Sequence, residues 1–419
     1  MINSYMIKNC KVPFWLIFSS IFANSLWNLS WFNLKFYQYF HLLIIAFFIC
    51  NILKYRKKLL NYAYSKQYVI LLLLLPLLSV YSCKVLHDQS ISASLILWRM
   101  HLGWLLYFVL WKKKITEQQI IKTIFYIAIG YTIISLIQQI TFPLAPFGSR
   151  TVGSGYSEIL FDGIVEKRMG LYRFGISGVE YAIAFLFTLL SHKYQVTKKE
   201  FRFLIFILII GIMASGSRQT MASVFVVYCY YLLHKNKAKY KIIYTLLIIC
   251  VILILYSFRE LFFGSLANVS EDMASGRSFS YIYYINDYIS SPLSIFCGNG
   301  VGHESSLYGS EDIYFNNNRV ILSDIGMVST LYYWGIIYVL IYFIAIFRFL
   351  RNKYLDIHIK LIMLAPLLIS WIGTPLWEFK GMFFQALLFY YCDINIYNNK
   401  IRKQKLNENS VYISPIRNN

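Results

Sequence analysis

Apolar runs long enough to cross a lipid bilayer recur along this whole chain, broken by short lysine-rich segments. A membrane-spanning helix needs about 20 mostly apolar residues. Twelve runs qualify: 12–32, 36–53, 68–83, 94–111, 121–142, 174–191, 201–215, 218–233, 240–258, 321–347, 357–375 and 379–395. Composition supports this reading. Only 14% of the 419 residues are charged and 58% are hydrophobic, with a mean hydropathy of +0.54. A soluble domain carries about 25% charged residues, so this chain cannot cover a water-facing surface. A soluble enzyme, a disordered protein and a nucleic-acid-binding domain are thereby excluded. The 36 Tyr, 33 Phe and 9 Trp suit membrane interfaces, where amphipathic rings collect. The first run lacks a small-residue cleavage site and is followed by many more, so it reads as a span rather than a cleaved signal peptide.

The net charge of +21 invites a nucleic-acid partner until its distribution is followed. With the N-terminus in the cytoplasm and strict alternation, the inner segments are Lys8/Lys11, Lys54–Lys66, Lys112–Lys122, Lys193–Arg202, Lys235–Lys241, Arg348–Lys360 and the tail from Lys400. They hold 28 of the 40 Lys and Arg, whereas only five of the 19 Asp and Glu lie inside, counting Asp393 at the inner end of the last run. Every lysine-rich cluster falls on one side, as the positive-inside rule requires. The cations then face the anionic headgroups of the inner leaflet, which accounts for the basic balance with no nucleic acid involved.

The chain reads as one polytopic domain, 1–419, with two long outer loops, 143–173 and 259–320. Loops beyond about 12–15 residues are usually functional or disordered. These two are rich in Gly, Tyr, Ser and Asn with scattered charges, so they are expected to be folded and to carry the activity. The inner loops are too short for a catalytic domain, and no Walker A motif is present. The seven cysteines show no metal-ligand spacing; only Cys83 and Cys297 could meet on the outer side.

Five segments carry candidate chemistry. In Ser215-Gly216-Ser217-Arg218, Arg218 enters the first turn of a helix, where the dipole opposes a cation. It makes sense there if an anion docks at that helix end; a lipid headgroup is the plainer occupant. Arg173 and, about two turns deeper, Glu180 mark the outer mouth of the sixth run, as a structural pair or as lining of a wet cavity. Around Ser275-Gly276-Arg277, Ser275 is a predicted N-cap. The run to Ile289 then puts Arg277, Tyr281, Tyr284 and Tyr288 on one face, with Phe279, Ile282 and Ile289 on the other, as in an interfacial helix. Gly298-Asn299-Gly300-Val301-Gly302-His303 forms a tight, pliant turn whose His303 can titrate near neutral pH. Asp324 opens the tenth run, where a helix cap is the plain explanation. Arg99 and His101 interrupt the fourth run, and intramembrane ionisable groups are functional candidates by default.

The order of these motifs resembles the O-antigen polymerase and O-antigen ligase superfamily of bacterial surface-polysaccharide assembly. The shared elements are Arg173-Phe174-Gly175, Gly216-Ser217-Arg218, Gly276-Arg277, the Gly298–Gly302 turn, and Asp324 eleven positions before Gly335. The resemblance covers roughly 170–350. It implies a GT-C-type helical fold in the bacterial inner membrane with both termini cytoplasmic. It also implies metal-independent, inverting glycosyl transfer at the periplasmic face, with no cofactor. Donor and acceptor would be oligosaccharides on undecaprenyl diphosphate. Arg218 and Arg277 would neutralise the leaving diphosphate, Asp324 would serve as base, and Arg173, Glu180, Tyr281 and His303 would bind substrate. Tyrosines of the outer loops would stack on sugar rings. Membrane lipids, a chain-length regulator and a flippase are the implied partners. Ligases of the family usually carry His-Asn where this chain has Asp324-Ile325, which favours the polymerase branch. The alternatives are an O-antigen ligase-type transferase and a lipid-linked oligosaccharide flippase or other transporter; a transporter should place charges at the midplane and show internal repeats.

Overall fold

The computed structural model describes residues 10–23, 35–54, 63–141, 167–168, 171–172, 180–193, 199–214, 218–235, 245, 278–310, 325–372 and 379–412. The described residues are helical apart from one two-residue antiparallel pairing, Lys167 with Tyr172 and Arg168 with Leu171, and connecting turns. The helices are α1 (Phe14–Ala23), α2 (Lys35–Lys54), α3 (Lys66–Leu74), α4 (Leu77–His87), α5 (Ile91–Trp98), α6 (Leu105–Lys112), α7 (Glu117–Thr141), α8 (Glu180–Lys193), α9 (Lys199–Ala214), α10 (Arg218–Lys235), α11 (Ser278–Tyr288), α12 (Pro292–Cys297), α13 (Met327–Arg351), α14 (Ile357–Ile372) and α15 (Phe379–Tyr412).

Among the described residues, four helical stretches are long and apolar enough to cross a membrane: Lys66–His87, Ile91–Lys112, Glu117–Thr141 and Met327–Arg351. They coincide with the third, fourth, fifth and tenth apolar runs. The other described runs also fall on helices, while 240–258 lies almost wholly outside the described residues. Within Lys66–His87 the break at Pro76 follows from its missing N–H, and the chain resumes as α4 directly after it. The outward faces are apolar. Leu71, Leu74, Leu78, Tyr81 and Val85 of that stretch, and Leu340, Ile344 and Phe347 of α13, are exposed. Such a surface is tolerable only in a solvent that is itself apolar.

The centre is built from helices buried all round. From Met382 to Asp393 every residue of α15 is buried, as is every residue of α6 from Leu106 to Trp111. Between α5 and α6 the chain tightens into a 3₁₀ stretch, Arg99–Trp104. Gly103 explains how close it comes to α15: an added Cβ would lie 3.0 Å from Met382 Cβ and from Phe383 N. His101, in the same stretch, is fully buried. Its ring meets Trp334 edge-on at 4.3 Å and Tyr338 at 5.5 Å.

Hydrogen bonds join the described loops into two groups, at the two ends of the stretches Lys66–His87 and Ile91–Lys112. At the lysine-rich end, Asp393 Oδ2 accepts from Ser65 N at 3.0 Å, from Ser65 Oγ at 2.8 Å and from the Tyr107 hydroxyl at 2.5 Å. Lys122 Nζ donates to Cys10 O at 2.7 Å, and Gln119 Nε2 donates to Lys11 O at 3.0 Å. Arg348 donates to the Tyr68 hydroxyl at 2.7 Å, and Asn399 donates to Tyr354 O at 2.8 Å. At the opposite end, residues 82–94 meet 298–306, and α11 meets the start of α13.

Candidate functional site

The glycine turn organises the end opposite the lysines. Gly298 and Gly300 have φ of 79° and 73°, and Gly335, inside α13, has φ of 75°. Glycine alone adopts such values without strain. Space is limiting as well. A Cβ on Gly298 would lie 2.4 Å from Tyr333 O, and one on Gly300 would lie 2.7 Å from Cys83 Cβ. The kink at Gly335 frees two carbonyls of α13 for the turn: Asn299 N donates to Tyr332 O at 2.7 Å, and Gly300 N to Tyr333 O at 3.0 Å. The Ser82 hydroxyl donates to Gly298 O from α4. The sequence predicts a tight, pliant turn; it is tight, but it is wedged between α4 and α13.

Gln89 holds the rest of the loop. This buried side chain donates through Nε2 to Val301 O at 3.0 Å and to Ser94 Oγ at 2.8 Å. Its Oε1 accepts from His303 N at 2.8 Å and from Ser306 Oγ at 2.7 Å. His87 bridges to Asn299 Oδ1 at 3.1 Å and stacks on Tyr308 at 3.9 Å, nearly parallel. His303 is half-buried, and its Nδ1 accepts from Ser305 N at 3.1 Å. That bond leaves Nε2 as the protonated nitrogen in the neutral ring. Asp88, at the end of α4 and fully exposed, bonds to Lys84, whose ammonium holds the Asp88 carboxyl below its usual range.

Helix α11 docks on α13 through its tyrosine face. Tyr284 is buried, its ring edge-on to Tyr332 at 5.0 Å. The Tyr288 hydroxyl donates to Ile295 O at 2.6 Å. The Tyr332 hydroxyl donates to Asp287 Oδ2 at 2.6 Å and lies 3.4 Å from that of Tyr308. Ile282, Ile285 and Ile289 are exposed on the other face. The two-faced reading of 277–289 therefore holds for Tyr284, Tyr288, Ile282 and Ile289. Tyr284 is spent on packing against Tyr332, and Tyr308 on packing against His87, so neither is available as a stacking platform for sugars.

Of the residues singled out in the sequence, His303 lies in this assembly. Tyr281 belongs to α11 and Glu180 and Arg218 open α8 and α10, but their side chains lie outside the described residues, as do Arg173, Arg277 and Asp324 altogether. Gly326, with φ of 51°, occupies the cap position of α13 that the sequence offers to Asp324. Cys83 and Cys297 are both free thiols, so the bridge that sidedness would allow is not formed. Sequence reasoning missed Gln89, His87 and Asp287. Each lies in a short connection or at a helix end, and nothing in its sequence neighbours signals the loop it will meet.

Comparison with protein-family models gives no match, and comparison with curated proteins gives none either.

Proposed function

We propose that this protein is a bacterial inner-membrane polymerase that joins undecaprenyl-diphosphate-linked oligosaccharide repeat units at the periplasmic face. The reading includes about twelve spans in a GT-C-type arrangement, cytoplasmic termini and metal-independent inverting transfer. The observation that carries it is the sorting of loops. The lysine-rich segments bond to one another at one end, while the glycine turn, His303 and α11 gather at the other. In this reading that end is the periplasmic one, where a lipid-linked glycan, once flipped, is presented.

In this reading the diphosphate leaves from the donor sugar, and Arg218 and Arg277 bind the charge that develops on it. Preorganised charge aimed at a leaving group is often the largest catalytic contribution. Arginine suits the task because its planar fork grips two oxygens at once. A carboxylate base accepts the proton of the attacking sugar hydroxyl, and Arg173, Glu180, Tyr281 and His303 hold the glycan.

One observation favours a transporter instead. His101 is fully buried within an apolar span, and neither of its ring nitrogens has a hydrogen-bond partner among the described residues; ionisable groups at such depth mark substrate and proton paths in transporters. A gel of surface glycan from cells lacking the gene separates the readings. The polymerase reading expects the acceptor to carry a single repeat in place of a ladder. Loss of all glycan, with single repeats accumulating on lipid at the cytoplasmic face, would establish the flippase instead. Loss of all glycan with long chains held on lipid at the outer face would establish a ligase.

A further inference from the structure

Helix α11 ends on an acid. Asp287 lies in its last turn, where the helix dipole disfavours negative charge, so helix stability does not explain the residue. Among the described residues its carboxylate has one hydrogen-bond partner, the Tyr332 hydroxyl on α13, which donates to Oδ2. The residue is half-buried. One oxygen is thus anchored, and Oδ1 has no partner among the described residues.

The anchor is itself fixed. The Tyr332 ring packs edge-on against Tyr284 and Tyr333, at 5.0 and 5.6 Å. Its hydroxyl adjoins that of Tyr308, which donates to Gly300 O at 3.1 Å. The position of Asp287 is therefore set by the glycine turn. The other acids described at this end are Asp88, which is bonded to Lys84, and Glu304, and both are exposed. Neither is anchored and half-buried in the way Asp287 is.

We propose that Asp287 is the general base of the glycosyl transfer, an assignment that rests on the polymerase reading. The acceptor sugar hydroxyl gives its proton to Asp287 Oδ1 while its oxygen bonds to the anomeric carbon of the donor. The bond from that carbon to the phosphate oxygen breaks, and its electron pair leaves on the lipid diphosphate. The carboxylate is restored when the proton passes to water. Asp287 thereby takes the role that the resemblance gives to Asp324.

The test uses membranes containing the full-length protein and a synthetic undecaprenyl-diphosphate-linked repeat unit. Asp287→Asn should lower chain extension by ~10²–10⁴-fold at unchanged protein level, because the Asn carbonyl still accepts from Tyr332. Asp287→Glu should recover part of the rate. Tyr332→Phe removes the anchor but keeps the ring, and should retain extension to within about tenfold. Extension by Asp287→Asn within about threefold of wild type would overturn the proposal. So would failure of both Asp287→Asn and Tyr332→Phe to accumulate, since that pattern marks a docking contact. If Asp287→Asn alone fails to accumulate, Asp287→Glu decides: its accumulation with a pH profile of extension unshifted from that of wild type also overturns the assignment. Wild-type membranes that extend nothing would instead remove the polymerase reading itself.

Discussion

Gly298 and Gly335 meet backbone to backbone. A Cβ on either would lie 2.6 Å from the main-chain nitrogen of the other, and both have φ in the left-handed region. The contact is where the glycine turn enters the kink of α13, so two segments far apart in sequence are fixed by the absence of two side chains.

Alanine at either position should therefore be costly. The left-handed conformation alone costs about 1–3 kcal/mol for a residue with a Cβ, before the clash with Tyr333 O or Phe296 O is counted. Gly298→Ala and Gly335→Ala are each expected to lower the unfolding temperature of the detergent-purified protein, whereas Gly130→Ala, which meets nothing within 4 Å, should not. Thermal unfolding of the three variants checks this.

Gln89→Leu should loosen residues 298–310 without unfolding the bundle. It strips hydrogen bonds from Val301 O, His303 N and Ser306 Oγ, and each buried polar group left unmet costs about 1–3 kcal/mol. Limited proteolysis from the glycine-turn side should cut this loop faster in the variant, at an unchanged amount of protein in the membrane.

Asp393→Ala should destabilise more than Asp393→Asn. Alanine leaves Ser65 N–H, Ser65 Oγ and the Tyr107 hydroxyl without their shared acceptor, at roughly 1–3 kcal/mol for each group left buried. Asparagine keeps a carbonyl oxygen in place. Unfolding in detergent should rank wild type above Asn and Asn above Ala.

Sidedness is testable directly. In a cysteine-free background, Ser305→Cys should react with a membrane-impermeant thiol reagent on intact cells, after permeabilisation of the outer membrane. Lys403→Cys should react only when the inner membrane is opened. Labelling of both under the first condition would break the alternating arrangement.

In the proposed mechanism the arginines bind the leaving diphosphate. Arg218→Ala and Arg277→Ala are each expected to abolish polymer while the protein stays in the membrane, and the Lys variants should rescue poorly because an ammonium lacks the bidentate fork. Normal polymer from both Lys variants would remove the diphosphate clamp. Glycan gels of complemented cells give the readout.

The helices were legible because hydropathy is a local signal. The runs 68–83 and 94–111 fall inside Lys66–His87 and Ile91–Lys112. What was illegible depends on partners distant in sequence. The 3₁₀ turn at Arg99–Trp104 follows the approach of α15 to Gly103. The continuation of α15 to Tyr412 has no apolar run to announce it. Gly335 was visible only as a spacing from Asp324, and its conformation answers to Phe296 and Gly298. The turn at 298–302 was legible as glycines, but its rigidity comes from Gln89 and Ser82, more than 200 positions earlier.

The central claim is glycosyl transfer between lipid-linked repeats, and reconstitution tests it most directly. Purified protein in liposomes, given undecaprenyl-diphosphate-linked repeat units and a metal chelator, should yield a ladder of lengthened glycans and release undecaprenyl diphosphate. Repeat units that stay single, while the protein moves them from one leaflet to the other, would contradict the account and make the protein a transporter.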